Sequence, residues 1–170
     1  MEEFCIMTKS FDIEDIEIKE KDIRNLIRTA MKVRDMAYAR YSGFKVGAAL
    51  LAGCKVSNEN ETDSNTLQKY RVFTGCNIEN SSYGATICAE RAAVCNAVSS
   101  GYTDFKAIAI VGGLNNTGIN GITYPCGICR QVLSEFSVDM YVIAARSEEE
   151  YDMRRLSEFL PASFDAGQMI

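Results

Sequence analysis

Three stretches of the chain are almost unbroken in apolar residues: FKVGAALLA (Phe44 to Ala52), FKAIAIVGG (Phe105 to Gly113) and MYVIAAR (Met140 to Arg146). A strand with no polar face must be covered on both sides, and helices alternating with such strands supply the cover. The expected architecture is therefore a sheet with helices on both faces. A fourth strand, YRVFTGCN (Tyr70 to Asn77), follows the first after a polar stretch of Ser, Asn, Glu, Asp and Thr. These two strands are expected to form a hairpin with an unusually long loop at 53–69, a length that marks functional or mobile loops.

Helical spacing is clearest from Glu20 to Arg40, where Ile23, Leu26, Ile27, Ala30, Val33, Arg34 and Ala37 recur every 3.6 residues. A second helix is predicted over Thr86 to Ser100, stopped by Gly101. Pro125 opens a third, running to Phe136, since a first turn tolerates a missing N–H. MRRLSEFL (Met153 to Leu160) reads as a last helix ended by Pro161. Residues 1–18 alternate acids with Phe4, Ile6, Phe11, Ile13, Ile16 and Ile18, and read as an appended N-terminal arm, mobile or packed on a neighbour. Residues 19–170 read as a single domain, long enough to bury a real core.

The chain contains no histidine. This excludes Ser-His-Asp triads, Cys-His dyads and every histidine metal site, leaving acid–base work to carboxylates, Lys, Tyr or Cys. Against 18 Lys and Arg stand 23 Asp and Glu, a net charge of -5 that argues against a nucleic-acid backbone as partner. No stretch approaches the roughly 18 apolar residues of a membrane span. The acidic N-terminus does not read as a secretory signal, so a reducing, cytoplasmic location is expected. There, seven cysteines, an odd number, are better read as metal ligands or catalytic thiols than as disulfides.

Pro125-Cys126-Gly127-Ile128-Cys129 places a C-x-x-C at the start of a predicted helix. Alone it suits a thiol redox motif, half of a zinc site, or chance. Zinc normally takes four ligands, so a third donor is required. Cys88, at the start of the helix in TICAERAA, fits: two helix N-termini aimed at one spot favour thiolates there. Taken singly, Cys88 reads better as a buried helix cysteine, which is how we read Cys95. Glu90, two residues on, changes the balance. Three protein ligands leave the fourth zinc position open, and a carboxylate within reach makes a hydrolytic device. C-A-E followed by P-C-x-x-C is the three-cysteine form of the zinc deaminase signature. Arg91 is expected to donate to the sulfurs and restore acidity that three thiolates would blunt.

With YSGFKVGAAL, TGCNIENSSYG, ICAERAA, PCGICRQ and FLPASF in this order, the chain from about Ala30 to Phe164 resembles the small, homotetrameric cytidine deaminases. The resemblance implies a three-layer α-β-α sandwich with a mixed sheet of about five strands. It implies one Zn2+ per subunit, hydrolytic deamination of cytidine and deoxycytidine with release of ammonia, and a place in pyrimidine salvage. By position, Cys88, Cys126 and Cys129 resemble the zinc ligands and Glu90 the proton shuttle. Asn77 and Glu79 match the pair that binds the ribose hydroxyl, Phe44 the aromatic lining the nucleoside pocket, and Ala89 a further substrate-binding position. Phe164 and Tyr83 resemble contributors from a neighbouring subunit, which would make the active sites shared. Arg40 stands where the family usually has Pro, the 53–69 connection is longer than usual, and the first 18 residues have no counterpart.

Three rival readings follow from the same residues. A polynucleotide editor needs a basic, aromatic-interleaved groove, which the net charge of -5 and the lack of Trp oppose. A blasticidin-type drug deaminase could share the zinc set, although Asn77 and Glu79 favour a ribose. A non-catalytic zinc module needs a fourth protein ligand, for which Cys76 and Cys95 are the candidates.

Overall fold

The computed structural model describes residues 18–54 and 70–169. The N-terminal arm expected at 1–18 thus lies, save Ile18, outside the described residues, as does the 53–69 loop beyond Cys54. The first helix, α1 (Glu20–Arg34), carries Glu20 and Asp22 in its first turn and Lys32 and Arg34 in its last, matching charge to the helix dipole. It buries Ile23, Leu26, Ile27 and Ala30. The predicted extension to Arg40 does not form. Instead the Tyr38 N–H donates to the Asn77 carbonyl at 3.0 Å and the Glu79 N–H to the Tyr38 carbonyl at 2.8 Å. This long-range pairing takes the backbone groups that a continuing helix would have needed.

Five strands form one mixed sheet: β1 (Phe44–Cys54), β2 (Tyr70–Cys76), β3 (Tyr102–Leu114), β4 (Tyr141–Ala145) and β5 (Tyr151–Arg155), in the order β2-β1-β3-β4-β5. β1 pairs antiparallel with β2, Gly47 opposite Cys76 and Gly53 opposite Tyr70, so the expected hairpin partners are in place. The β3–β4 pair is parallel and the outer pairs antiparallel.

MRRLSEFL departs from its predicted helix. Residues 151–155 pair with β4 as β5, and the helix is the single turn α4 (Leu156–Phe159). The open edge of β4 offered backbone partners, and that offer outweighs helical propensity over a few residues.

The sheet is apolar on both faces. On one, Ile23, Leu26, Ile27 and Ala30 of α1 cover Ala49, Ala107, Ala109, Val111 and Ile143. On the other, α2 (Ala89–Ser99) and α3 (Gly127–Ser134) place Ala93, Ala97 and Leu133 over Ala48, Leu50, Ile108, Ile110 and Val142. Burying each Leu, Ile or Val fully contributes roughly 1.5–3 kcal/mol before entropic costs. The result is the expected α-β-α sandwich.

Candidate metal centre

Two helix starts meet at one end of the sheet. Cys88 is the N-cap of α2 with φ -73 and ψ 154, and Cys126 is the N-cap of α3 with φ -68 and ψ 167. An N-cap side chain folds over the first turn towards the residue three on. Local geometry therefore brings Cys126 Sγ to 3.5 Å from Cys129 Sγ. Pro125 precedes the N-cap rather than lying in the first turn as predicted, and the α2 helix starts at Ala89 rather than Thr86. The cause of the late α2 start is Ile87, which exchanges two backbone hydrogen bonds with Ile78 and stays extended.

Packing of α2 beside α3 adds the third sulfur. Cys88 Sγ lies 3.8 Å from Cys126 Sγ, and the three sulfurs all fall within 4.8 Å of one another. Cys129 is buried, Cys88 half-buried and Cys126 exposed, so the trio faces solvent on one side. The metal-capable group comprises these three cysteines; among the described residues neither Cys76 nor Cys95 belongs to it. Three soft donors in tetrahedral reach, with the fourth side open, suit zinc.

The thiols are electrostatically coupled. The hydrogen bond from the Cys129 thiol pulls Cys88 down to about 5, against burial, with Arg91 and Cys126 helping. Cys129 moves the opposite way, raised by its bond to Cys88 and by burial.

Glu90, in the first turn of α2, is 4% exposed. Burial holds its carboxyl above the usual carboxylate range, and the Cys88 thiolate adds to the shift. Arg91 donates from Nη2 to the Thr86 carbonyl at 2.7 Å and towards Cys88 Sγ at 3.9 Å. Ala89 is fully buried between α2 and the sheet.

The expected sugar-binding residues form a second cluster. Asn77 Nδ2 donates to the Phe44 carbonyl at 2.9 Å and its Oδ1 accepts from the Val46 N–H at 2.8 Å, a side-chain copy of a strand ladder. Glu79 accepts from the Tyr41 N–H at 2.8 Å, from the Ser42 N–H at 3.2 Å, and from the Ser42 hydroxyl in a short bond. The Ile78–Ile87 bridge ties this cluster to Cys88, one residue further along. Phe44, at the start of β1, is 36% exposed. Tyr83 packs edge-on to Tyr41 at 6.2 Å yet is 74% exposed, and the Phe164 ring is 58% exposed. The hold of Glu79 on the Tyr41–Ser42 backbone had no signal in the sequence, because it joins positions far apart in the chain.

The Ser42 hydroxyl, and then the Tyr41 N–H, depress the Glu79 pKa. A depressed folded-state pKa stabilises above the ordinary carboxylate value of about 4.3, and that stabilisation is lost as pH falls through the lower folded value. Exchange protection of the Tyr41 and Ser42 amides should hold at about pH 5 and fall on further acidification. Amide NMR checks this: Glu79→Gln should lack the acid step, and an identical step in that variant would reassign it.

Residues 20–145 match the family described as "Cytidine and deoxycytidylate deaminase zinc-binding region". The chain is 40% identical over 144 residues to a cytidine deaminase of Sporosarcina psychrophila, covering 84% of this chain and 91% of that one. It is 35% identical over 153 residues to a probable cytidine deaminase of Dictyostelium discoideum, covering 90% of each. A crystal structure of cytidine deaminase from Burkholderia pseudomallei superposes with a TM-score of 0.67 at 37% identity, over 82% of this chain and 97% of that one.

Proposed function

The chain belongs to the zinc-binding cytidine and deoxycytidylate deaminase family, and from that premise we propose that it hydrolyses cytidine and deoxycytidine to uridine and deoxyuridine, releasing ammonia. The observation that carries the reading is the meeting of Cys88, Cys126 and Cys129 at two helix starts, with buried Glu90 two residues beyond the first. The chemistry of three thiols with an open side fits one Zn2+ per subunit.

Zinc held by these thiolates supplies Lewis acidity, which makes water acidic enough to be a nucleophile near neutral pH. Glu90 takes a proton from the water that attacks the amine-bearing ring carbon. It passes that proton to the adjacent ring nitrogen, then helps protonate the nitrogen that leaves as ammonia when the carbon–nitrogen bond breaks. Its burial suits the role, because a raised pKa keeps the protonated form accessible. Arg91 draws electron density from the Cys88 sulfur. Phe44 lines the nucleoside, while Asn77 and Glu79, already held by the 41–46 backbone, face the ribose hydroxyl with their remaining donor and acceptor capacity; Ala89, expected to bind substrate too, is packed into the core and presents no surface to it.

The exposed rings of Tyr83 and Phe164 support a homotetramer whose active sites are shared. No helix among the described residues is long and apolar enough to cross a membrane. With a free nucleoside as substrate, a role in cytoplasmic pyrimidine salvage follows, carried by residues 19–170 as one domain.

Loss of cytidine ultraviolet absorbance tests the reading. A strong chelator should abolish turnover, and stoichiometric zinc should restore it. Zinc-edge X-ray absorption should give three sulfur scatterers; four would identify a closed structural site. Turnover that survives complete metal removal would overturn the proposal.

A further inference from the structure

We propose that Arg130 is a positioning residue for the metal centre, clamping the Pro125–Cys129 turn onto the C-terminal segment so that two of the sulfurs are held together before metal arrives. The inference rests on the reading that these thiols hold zinc. Arg130 directly follows Cys129, and its side chain reaches back along the turn: Nε donates to the Pro125 carbonyl at 2.8 Å while Nη1 donates to the Phe159 carbonyl at 3.1 Å. The same guanidinium sits 5.7 Å from the centre of the Phe159 ring. Tyr124, on the other side of Pro125, packs against that ring at 5.6 Å and donates its hydroxyl to Asp152 at 2.9 Å. Both residues ahead of Cys126 are thereby anchored to the 151–160 segment.

Pro125 is buried and has no N–H, so its carbonyl is the one backbone hydrogen-bonding group that this residue offers. A planar guanidinium can hold two carbonyls in fixed directions while lying against a ring; a lysine ammonium offers a single point charge. Fixing the turn keeps Cys126 extended and its sulfur beside that of Cys129. Ordering the ligands in advance removes an entropic cost from metal uptake.

The test is zinc titration of the full-length apo protein against a chromophoric chelator. Arg130→Lys and Arg130→Ala should each weaken zinc binding by about 10-fold or more, the usual effect of losing an outer support. They should also change the visible spectrum of the cobalt(II)-loaded protein, and millimolar guanidinium should partly restore Arg130→Ala. A folded Arg130→Lys with wild-type zinc affinity and cobalt spectrum overturns the proposal. If neither variant folds, Phe159→Leu decides, since it keeps the carbonyl and removes the ring face. It should weaken zinc binding about two- to fivefold, and unchanged affinity there overturns the clamp. The titration uses no nucleoside. Wild-type protein that binds zinc yet ignores cytidine would sink the functional reading alone, whereas an active Arg130→Lys with unaltered zinc affinity would sink the clamp alone.

Discussion

Replacing Glu90 by Gln should leave zinc in place and lower cytidine turnover by about 10²-fold or more. The side chain keeps its size, so the tightly enclosed position is not disturbed. The proton-carrying oxygen is lost, and no histidine exists elsewhere in the chain to take over. Metal should stay because the sulfurs of Cys88, Cys126 and Cys129 form the metal-capable group without the carboxylate. Metal analysis alongside the absorbance assay separates the cases. Full zinc with wild-type turnover would remove Glu90 from the mechanism, and lost zinc would recast it as a support of the metal site.

The second large effect is mechanical. A Cβ added at Gly75 on β2 would lie 2.3 Å from the Ala93 nitrogen, 2.4 Å from the Ala89 oxygen and 2.8 Å from the Ala92 carbonyl carbon. All three are backbone atoms of α2, so no side chain can swing away, and the helix itself must lift off the sheet. Gly75→Ala should destabilise by about 3 kcal/mol, at the upper end for overpacking. Thermal denaturation should show the midpoint falling by roughly 2–4 °C per kcal/mol. Because the displaced turn carries Glu90 and follows Cys88, zinc affinity should fall with it. Gly84→Ala, where an added Cβ meets nothing within 4 Å, is the control. Equal melting temperature and zinc affinity in Gly75→Ala and the wild type would refute the account.

Gly47 makes the same kind of approach on the opposite face, where a Cβ would lie 2.1 Å from the Ala30 oxygen of α1. Glycines thus set how closely helices on both sides approach β1 and β2. Neither close approach can be seen in the sequence, where Gly47 is simply a gap in an apolar run.

The metal-capable cysteine group was legible because its geometry is largely local. A C-x-x-C beginning a helix places N-cap and third-residue side chains on one side, whatever the rest of the chain does. Cys88 was reachable by chemistry, as the remaining thiol at a predicted helix start with a carboxylate close behind. The apolar strands were legible for a similar reason, since side chains with no polar face admit few environments.

Other features depended on what each backbone found to pair with. The end of α1 at Arg34 is set by the pairing of Tyr38 with Asn77, a residue far along the chain on the other side of β1 and β2, and β5 exists because β4 left an edge open. Asn77 and Glu79 were recognisable as residues, yet their hold on the 41–46 backbone follows from the meeting of two distant segments. Spacing and side-chain chemistry are short-range properties and can be read along a chain. Hydrogen-bond partners brought together by burial cannot be, because which of several willing donors and acceptors meet is settled when the whole core closes.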